Sequence, residues 1–216
     1  MTTPRITVLI SGRGSNLSAL LAAMQAGTLG GAITRVISNR ADAAGLAIAA
    51  SRGVPTRVIE HRAFAQREDF DAALANGIDE DAPDLVVLAG FMRVLGPSFI
   101  RRYPGRMLNI HPSLLPSYPG LHTHRRALAD GVRIHGCTVH FVTPEVDVGP
   151  IVAQAAVPVR EGDDEESLAA RVLAAEHVLF PKVVRWYCEG RLVIEGSRVH
   201  VRIETLPGDP VLFAPA

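Results

Sequence analysis

Apolar positions along the first hundred residues follow two alternating rhythms, and the alternation predicts a fold. Short β-branched runs, ITVLIS (6–11), ITRVIS (33–38) and PTRVIE (55–60), are each followed by a segment of helical spacing. The first helix starts at about Asn16, the second covers DAAGLAIAASRG, and the third ends at about Asp81. Strand, helix and strand at this pitch predict parallel strands with helical crossovers. DLVVLAGF (84–91) is apolar almost throughout, as in a strand covered on both faces, and MLNIH (107–111) follows a short helix near 97–103. Both are expected at the centre of the sheet.

The second half has a different pattern. CTVHFVT (137–143) and PIVAQAAVPV (150–159) are separated by a loop too short for a helical crossover, which predicts antiparallel pairing. A long helix over about 164–187 follows, and LVIEGSRVHV then has the pattern of a hairpin turning at Glu195–Arg198. The tail LPGDPVLFAPA receives no element. With no repeat, low-complexity tract or Pro/Gly-rich linker to divide the chain, the expectation is one α/β domain over 1–216. Its central sheet would be mostly parallel, antiparallel in the second half, with helices on both faces.

Composition narrows the function. Lys+Arg number 22 and Asp+Glu number 22, so no net charge draws the chain to nucleic acid or to a membrane surface, and its ligands should be small molecules. Cys137 and Cys188 make neither a disulfide framework nor a metal cluster and fit a reducing compartment. ITVLIS is too short for a signal-peptide core or a bilayer span, and no later segment approaches the required length, so a soluble cytoplasmic protein is expected.

Three stretches carry candidate chemistry. SGRGSNL (11–17) lies between the first strand and the first helix. Gly12 and Gly14 permit backbone shapes that a side chain would block, while Ser15 and Asn16 can cap a helix whose N–H groups and dipole favour an anion such as phosphate. Leu17 occupies the third glycine position of a dinucleotide fingerprint and GxxxxGK[ST] is absent, so neither NAD nor ATP is indicated. The alternative is a capped turn without a ligand.

In LNIH, Asn109 and His111 are two residues apart on a strand and project to the same face. An Asn amide can donate to a developing oxyanion and a His can carry a proton near neutral pH, a combination that suits acyl transfer. They could equally satisfy loop backbone groups. TPEVDVGP (143–150) offers Glu145 and Asp147; a carboxylate beside the imidazole would favour its charged form and orient it, or Asp147 could be only a turn residue.

His122, His124, His135 and His140 raise a metal reading, but no HExxH, Cys cluster or neighbouring carboxylate accompanies LHTHRRAL, so loop and strand histidines are expected and no metal. Glu176 falls within the apolar stripe Val172, Leu173, Phe180 and Val183 of the long helix. There it would either snorkel to solvent or meet ligand hydroxyls at a pocket edge.

Taken together and in order, SGRGSNL, VVLAGFMRVL, LNIHPSLLPSYPGLHTHRRAL and HFVTPEVDVGPI resemble the phosphoribosylglycinamide formyltransferase family of de novo purine synthesis, from about residue 6 to 190. The resemblance implies a Rossmann-like formyltransferase domain that moves a formyl group from 10-formyltetrahydrofolate to the amine of glycinamide ribonucleotide, with no metal, ATP or NAD. It further implies a nucleotide-binding half over 1–104, a catalytic and folate-binding half over 105–190, and a C-terminal hairpin and tail over 191–216.

By the same resemblance, Asn109, His111 and Asp147 match the catalytic trio, and Gly14, Ser15, Asn16 and Glu176 hold the ribonucleotide. Arg67, Met92, Arg93, Val94 and Leu95, with Asn109 and Thr143, Pro144, Glu145, Val146 and Asp147, would contact the folate. Some members carry Lys where this chain has Leu173. The rival reading is formyltetrahydrofolate hydrolysis (a deformylase), which resembling enzymes usually perform behind an N-terminal regulatory domain. Methionyl-tRNA formyltransferase is disfavoured by the lack of a basic C-terminal extension. A monomer or homodimer acting on small molecules is expected.

Overall fold

The computed structural model describes residues 2–202 and 212–213. By Cα proximity the chain forms two compact units that meet in sequence at Asn109 and Ile110. In the first, strands β1 (Arg5–Ile10), β2 (Ala32–Ser38), β3 (Thr56–Val58), β4 (Leu85–Leu88) and β5 (Met107–His111) alternate with helices. These are α1 (Ser15–Gln25), α2 (Ala44–Ser51), α3 (Arg67–Asp79) and α4 (Pro97–Arg102).

The strands of this unit lie in the order β3-β2-β1-β4-β5, and every neighbouring pair is parallel. Strand order reverses between β1 and β4. The segments that leave the carboxyl ends of those two strands therefore flank a topological switch point, the usual place for a ligand crevice in such sheets. The core explains the choice of strands: all four residues of β4 and the last five of β1 are buried.

The second unit holds α5 (Thr123–Ala129), β6 (Ile134–Phe141), β7 (Ile151–Pro158), α6 (Glu165–Cys188), β8 (Leu192–Glu195), β9 (Arg198–Val201) and the short β10 (Leu212–Phe213). Its strand order is β6-β7-β9-β8, with β10 also paired to β7. β6 and β7 are antiparallel, as their short connection requires, and β8 and β9 form the expected hairpin. The chain thus has the α/β class read from the sequence, parallel throughout its first unit and with antiparallel pairs in its second, where β7 and β9 alone pair in parallel among the described strands. α6 begins with a capping box. Asp164 accepts the Ser167 N–H and the Ser167 hydroxyl returns to the Asp164 backbone, which fixes the helix start within a residue of expectation.

Several boundaries differ from the sequence reading. The strand expected over 84–91 stops at Leu88, because Gly90 adopts φ 75° and turns the chain out of the sheet. PTRVIE contributes only Thr56–Val58, and β6 starts at Ile134 and ends at Phe141. Between MLNIH and CTVHFVT, where the sequence pattern assigns no element, lies α5, seven residues whose apolar stripe is too short to show a period. Apart from Leu212 and Phe213, the tail lies outside the described residues.

Candidate active site

β5 ends at His111, which is buried within the second unit's polar cluster. Its Nε2 lies 3.0 Å from the Tyr118 carbonyl oxygen and its Nδ1 lies 3.4 Å from Asp147 Oδ2. Carbonyl and carboxylate oxygens only accept, so either ring nitrogen can donate to its neighbour only where it carries a proton.

Asp147 arrives from the β6–β7 connection with φ 57°, a left-handed conformation that Asp tolerates better than most side chains. The Gly120 N–H donates to its Oδ2 at 2.8 Å, and its Oδ1 lies 3.8 Å from His140 Nε2. The Nδ1 of His140 donates to the Phe141 carbonyl at 2.9 Å, and burial pushes the His140 pKa down, against the pull of Asp147. Of the two rings beside Asp147, His111 lies closer, 3.4 Å against 3.8 Å.

The surroundings hold this geometry. The Thr138 hydroxyl donates to the Ser113 carbonyl at 2.7 Å and accepts from the Leu115 N–H at 3.0 Å, while the Ser113 hydroxyl donates to the Ser117 carbonyl at 2.6 Å. These buried bonds fix the turn that presents the Tyr118 carbonyl. Across the loop bearing Asp147, a Cβ on Gly149 would fall 1.8 Å from the Phe141 oxygen, so only glycine fits there.

Asn109 lies two residues before His111 on β5, half-buried, and strand alternation points both side chains the same way. The expected meeting of His111 and Asp147 is therefore found. Thr143 is half-buried with its hydroxyl donating to the Glu145 carbonyl at 3.2 Å; Pro144, Glu145 and Val146 are exposed.

In the first unit, Gly14, not Ser15 or Asn16, is the N-cap of α1, at φ 77° and with no side-chain cap bond. The expected capping by Ser15 and Asn16 is corrected. They occupy the first two helical positions, because Gly14 must both take a left-handed φ and approach Gly45, whose Cα would lie 2.6 Å from any Cβ. The first ladder bond runs from the Ser18 N–H to the Gly14 carbonyl, so the Ser15 amide stays outside the ladder at the positive end of the helix.

After β4, Met92, Arg93 and Val94 are exposed and Leu95 is buried. Arg67 opens α3 with an exposed side chain.

Glu176 does not snorkel. It is buried on the α6 stripe with Leu168, Val172, Leu179, Phe180 and Val183, while Leu173 sits half-buried at the margin. Its charge adds to burial in pushing the Cys137 thiol up to about 12, which keeps that thiol protonated.

His124 and His135 stack edge to face at 5.3 Å, and His135 meets the Tyr118 ring at 5.8 Å. Among the described residues no three His, Cys, Asp or Glu side chains gather as metal ligands. Tyr118 and Gly120 escaped the sequence reading because they act through backbone atoms; the turn composition of SYPG was their one trace.

Residues 4–184 match the formyl transferase family, and the chain belongs to it. It is 50% identical over 202 residues to the phosphoribosylglycinamide formyltransferase of Escherichia coli K12, which covers 94% of this chain and 95% of that one. The structure of glycinamide ribonucleotide transformylase 1 from Symbiobacterium toebii matches with a TM-score of 0.90 at 51% identity, over 92% of this chain and 94% of that chain. A formyltetrahydrofolate deformylase from Pseudomonas syringae pv. tomato reaches a TM-score of 0.87 at 28% identity, over 93% of this chain and 66% of the other.

Proposed function

We propose that the chain transfers the formyl group of 10-formyltetrahydrofolate to the amine of glycinamide ribonucleotide, giving formylglycinamide ribonucleotide and tetrahydrofolate in purine synthesis. The observation that carries this reading is the His111–Asp147 contact at 3.4 Å, in a chain matched to the Escherichia coli enzyme over nearly its whole length.

The neutral amine attacks the formyl carbon, the carbonyl oxygen becomes an oxyanion, and Asn109 and His111 donate to it, the His111 Nε2 turning from the Tyr118 carbonyl to the oxyanion. Collapse breaks the bond to the folate nitrogen, which takes a proton from His111, and the attacking nitrogen returns a proton to the His111 ring; one proton moves from acceptor to donor overall. Asp147 keeps His111 oriented and charged.

Gly14, Ser15, Asn16 and Glu176 bind the ribonucleotide, its phosphate at the N-terminus of α1. Arg67, the segment Met92–Leu95, Asn109 and Thr143–Asp147 bind the folate. The exposed apolar side chains of Met92 and Val94 support that assignment.

Purified protein given 10-formyltetrahydrofolate is expected to release tetrahydrofolate only when glycinamide ribonucleotide is present. Formate release without the acceptor would instead establish the deformylase reaction. Asn109→Ala is expected to lower kcat by roughly 10²–10³, the cost of one oxyanion donor; a folded variant at the parent rate would remove Asn109 from the chemistry.

A further inference from the structure

Residues 92–96 form a segment, exposed over Met92–Val94 and buried at Leu95 and Gly96, that the rest of the first unit holds at both ends. At one end the Met92 N–H donates to the Ser11 hydroxyl at 2.7 Å, and that hydroxyl donates to Asn39 Oδ1 at 2.6 Å in a buried bond. At the other end the Gly96 N–H donates to Asp71 Oδ2 at 2.8 Å, also buried.

Between them, Arg93 lies over the ring of Phe70, 6.0 Å from its centroid, and Phe70 precedes Asp71 on α3. Met92 and Val94 remain 65% and 58% exposed despite being apolar, so the ties order a segment whose own side chains gain little from burial.

Gly96 has an ordinary φ of −71°, and its lack of a side chain is a matter of space: a Cβ there would stand 2.7 Å from Asp71 Oδ2. Asp71 is itself an unusual acceptor. It is 7% exposed, its buried Oδ1 has no hydrogen-bond partner among the described residues, and Asp71 lines a pocket of about 240 Å³ together with Arg67 and Gly96. Burial raises its pKa, opposed by the Gly96 amide and by Arg67. A buried carboxylate with one oxygen unmatched is costly to keep for packing alone.

We propose that Asp71, with Ser11, is a positioning residue that pre-forms the folate-contacting segment Met92–Leu95. This rests on the donor site assigned above. Holding the segment in its bound shape before the ligand arrives removes an ordering cost from donor binding and none from acceptor binding. The signature is a selective change in the donor KM.

Asp71→Ala and Gly96→Ala are expected to raise the KM for 10-formyltetrahydrofolate about tenfold, with the KM for glycinamide ribonucleotide and kcat within about twofold. Asp71→Asn keeps an acceptor for the Gly96 N–H and is expected to restore the parent KM. Ser11→Ala, at the other tie, should reproduce the selectivity if Asp71→Ala fails to fold.

An unchanged donor KM in Asp71→Ala or Ser11→Ala overturns the proposal, as does an equal rise in both KM values or a failure of Asp71→Asn to rescue. Val94→Asp separates this from the donor site itself: an unaltered donor KM there would show that the folate does not touch the segment, and both readings would fall.

Discussion

Asp147 holds three neighbours at once, and its backbone conformation is part of how it does so. The left-handed φ of 57° lets one carboxylate meet the His111 ring and the Gly120 N–H through Oδ2 while Oδ1 faces His140. An Asn in its place would have to give up the charge and turn an NH₂ group toward one of two donors. Asp147→Asn is therefore expected to reduce kcat by about 10²-fold or more, the range of a lost general acid–base partner, with substrate KM values changed far less. Steady-state kinetics check this, and a kcat within threefold of the parent would show that Asp147 does not support His111. Ser11 was missed in the sequence because a hydroxyl at a strand end looks like any cap or turn residue; only the fold reveals the Met92 amide above it.

At the scale of elements, the β6–β7 connection is as informative as the strands it joins. Phe141 N–H donates to the Pro150 carbonyl at 2.9 Å, closing the loop just beneath Asp147. Gly149→Ala would drive a Cβ to 1.8 Å from the Phe141 oxygen, a backbone atom that cannot rotate away. The expected outcome is a loss of about 1–3 kcal/mol in unfolding free energy, the usual cost of overpacking, together with reduced kcat, because the shifted loop carries Asp147. Denaturant titration and turnover measured side by side test whether the two losses travel together.

Elements of this kind were legible where periodicity had room to show. β1, β2, β5, β7 and α6 emerged within a residue or two of expectation, since strands buried on both faces and a long amphipathic helix write strong patterns. α5 did not, nor did the early end of β4, since seven residues of helix and a glycine turn leave no period to read. The site divided in the same way. Asn109, His111 and Asp147 are side chains of suggestive chemistry, whereas the Tyr118 carbonyl and Gly120 amide that orient them carry no side-chain signature.

For the molecule as a whole, with its balanced formal charge, pH acts through individual buried groups more than through net repulsion. His124, His135, His140 and His177 all have pKa values lowered, with burial the largest cause in each, and His135 is pushed down to about 4. A histidine whose folded pKa lies below its unfolded value favours folding above the unfolded value, near 6.5, and loses that contribution as pH falls toward the folded one. The window is therefore about pH 6.5 to 4, and His135 alone supplies ~3 kcal/mol across it.

Asp71 works in the opposite sense, since its raised pKa means that acid relieves a buried charge, and Asp163, held far below the usual carboxylate range chiefly by Arg171, acts only beneath this window. The net expectation is an unfolding free energy that falls steadily from pH 6.5 to 4. His135→Phe should flatten that fall by about the His135 share, since it removes the proton while leaving a ring between Tyr118 and His124. Unfolding curves for parent and variant at pH 7, 5.5 and 4.5 decide the point: parallel pH dependences would mean that His135 takes up its proton in the folded state as readily as in the unfolded chain.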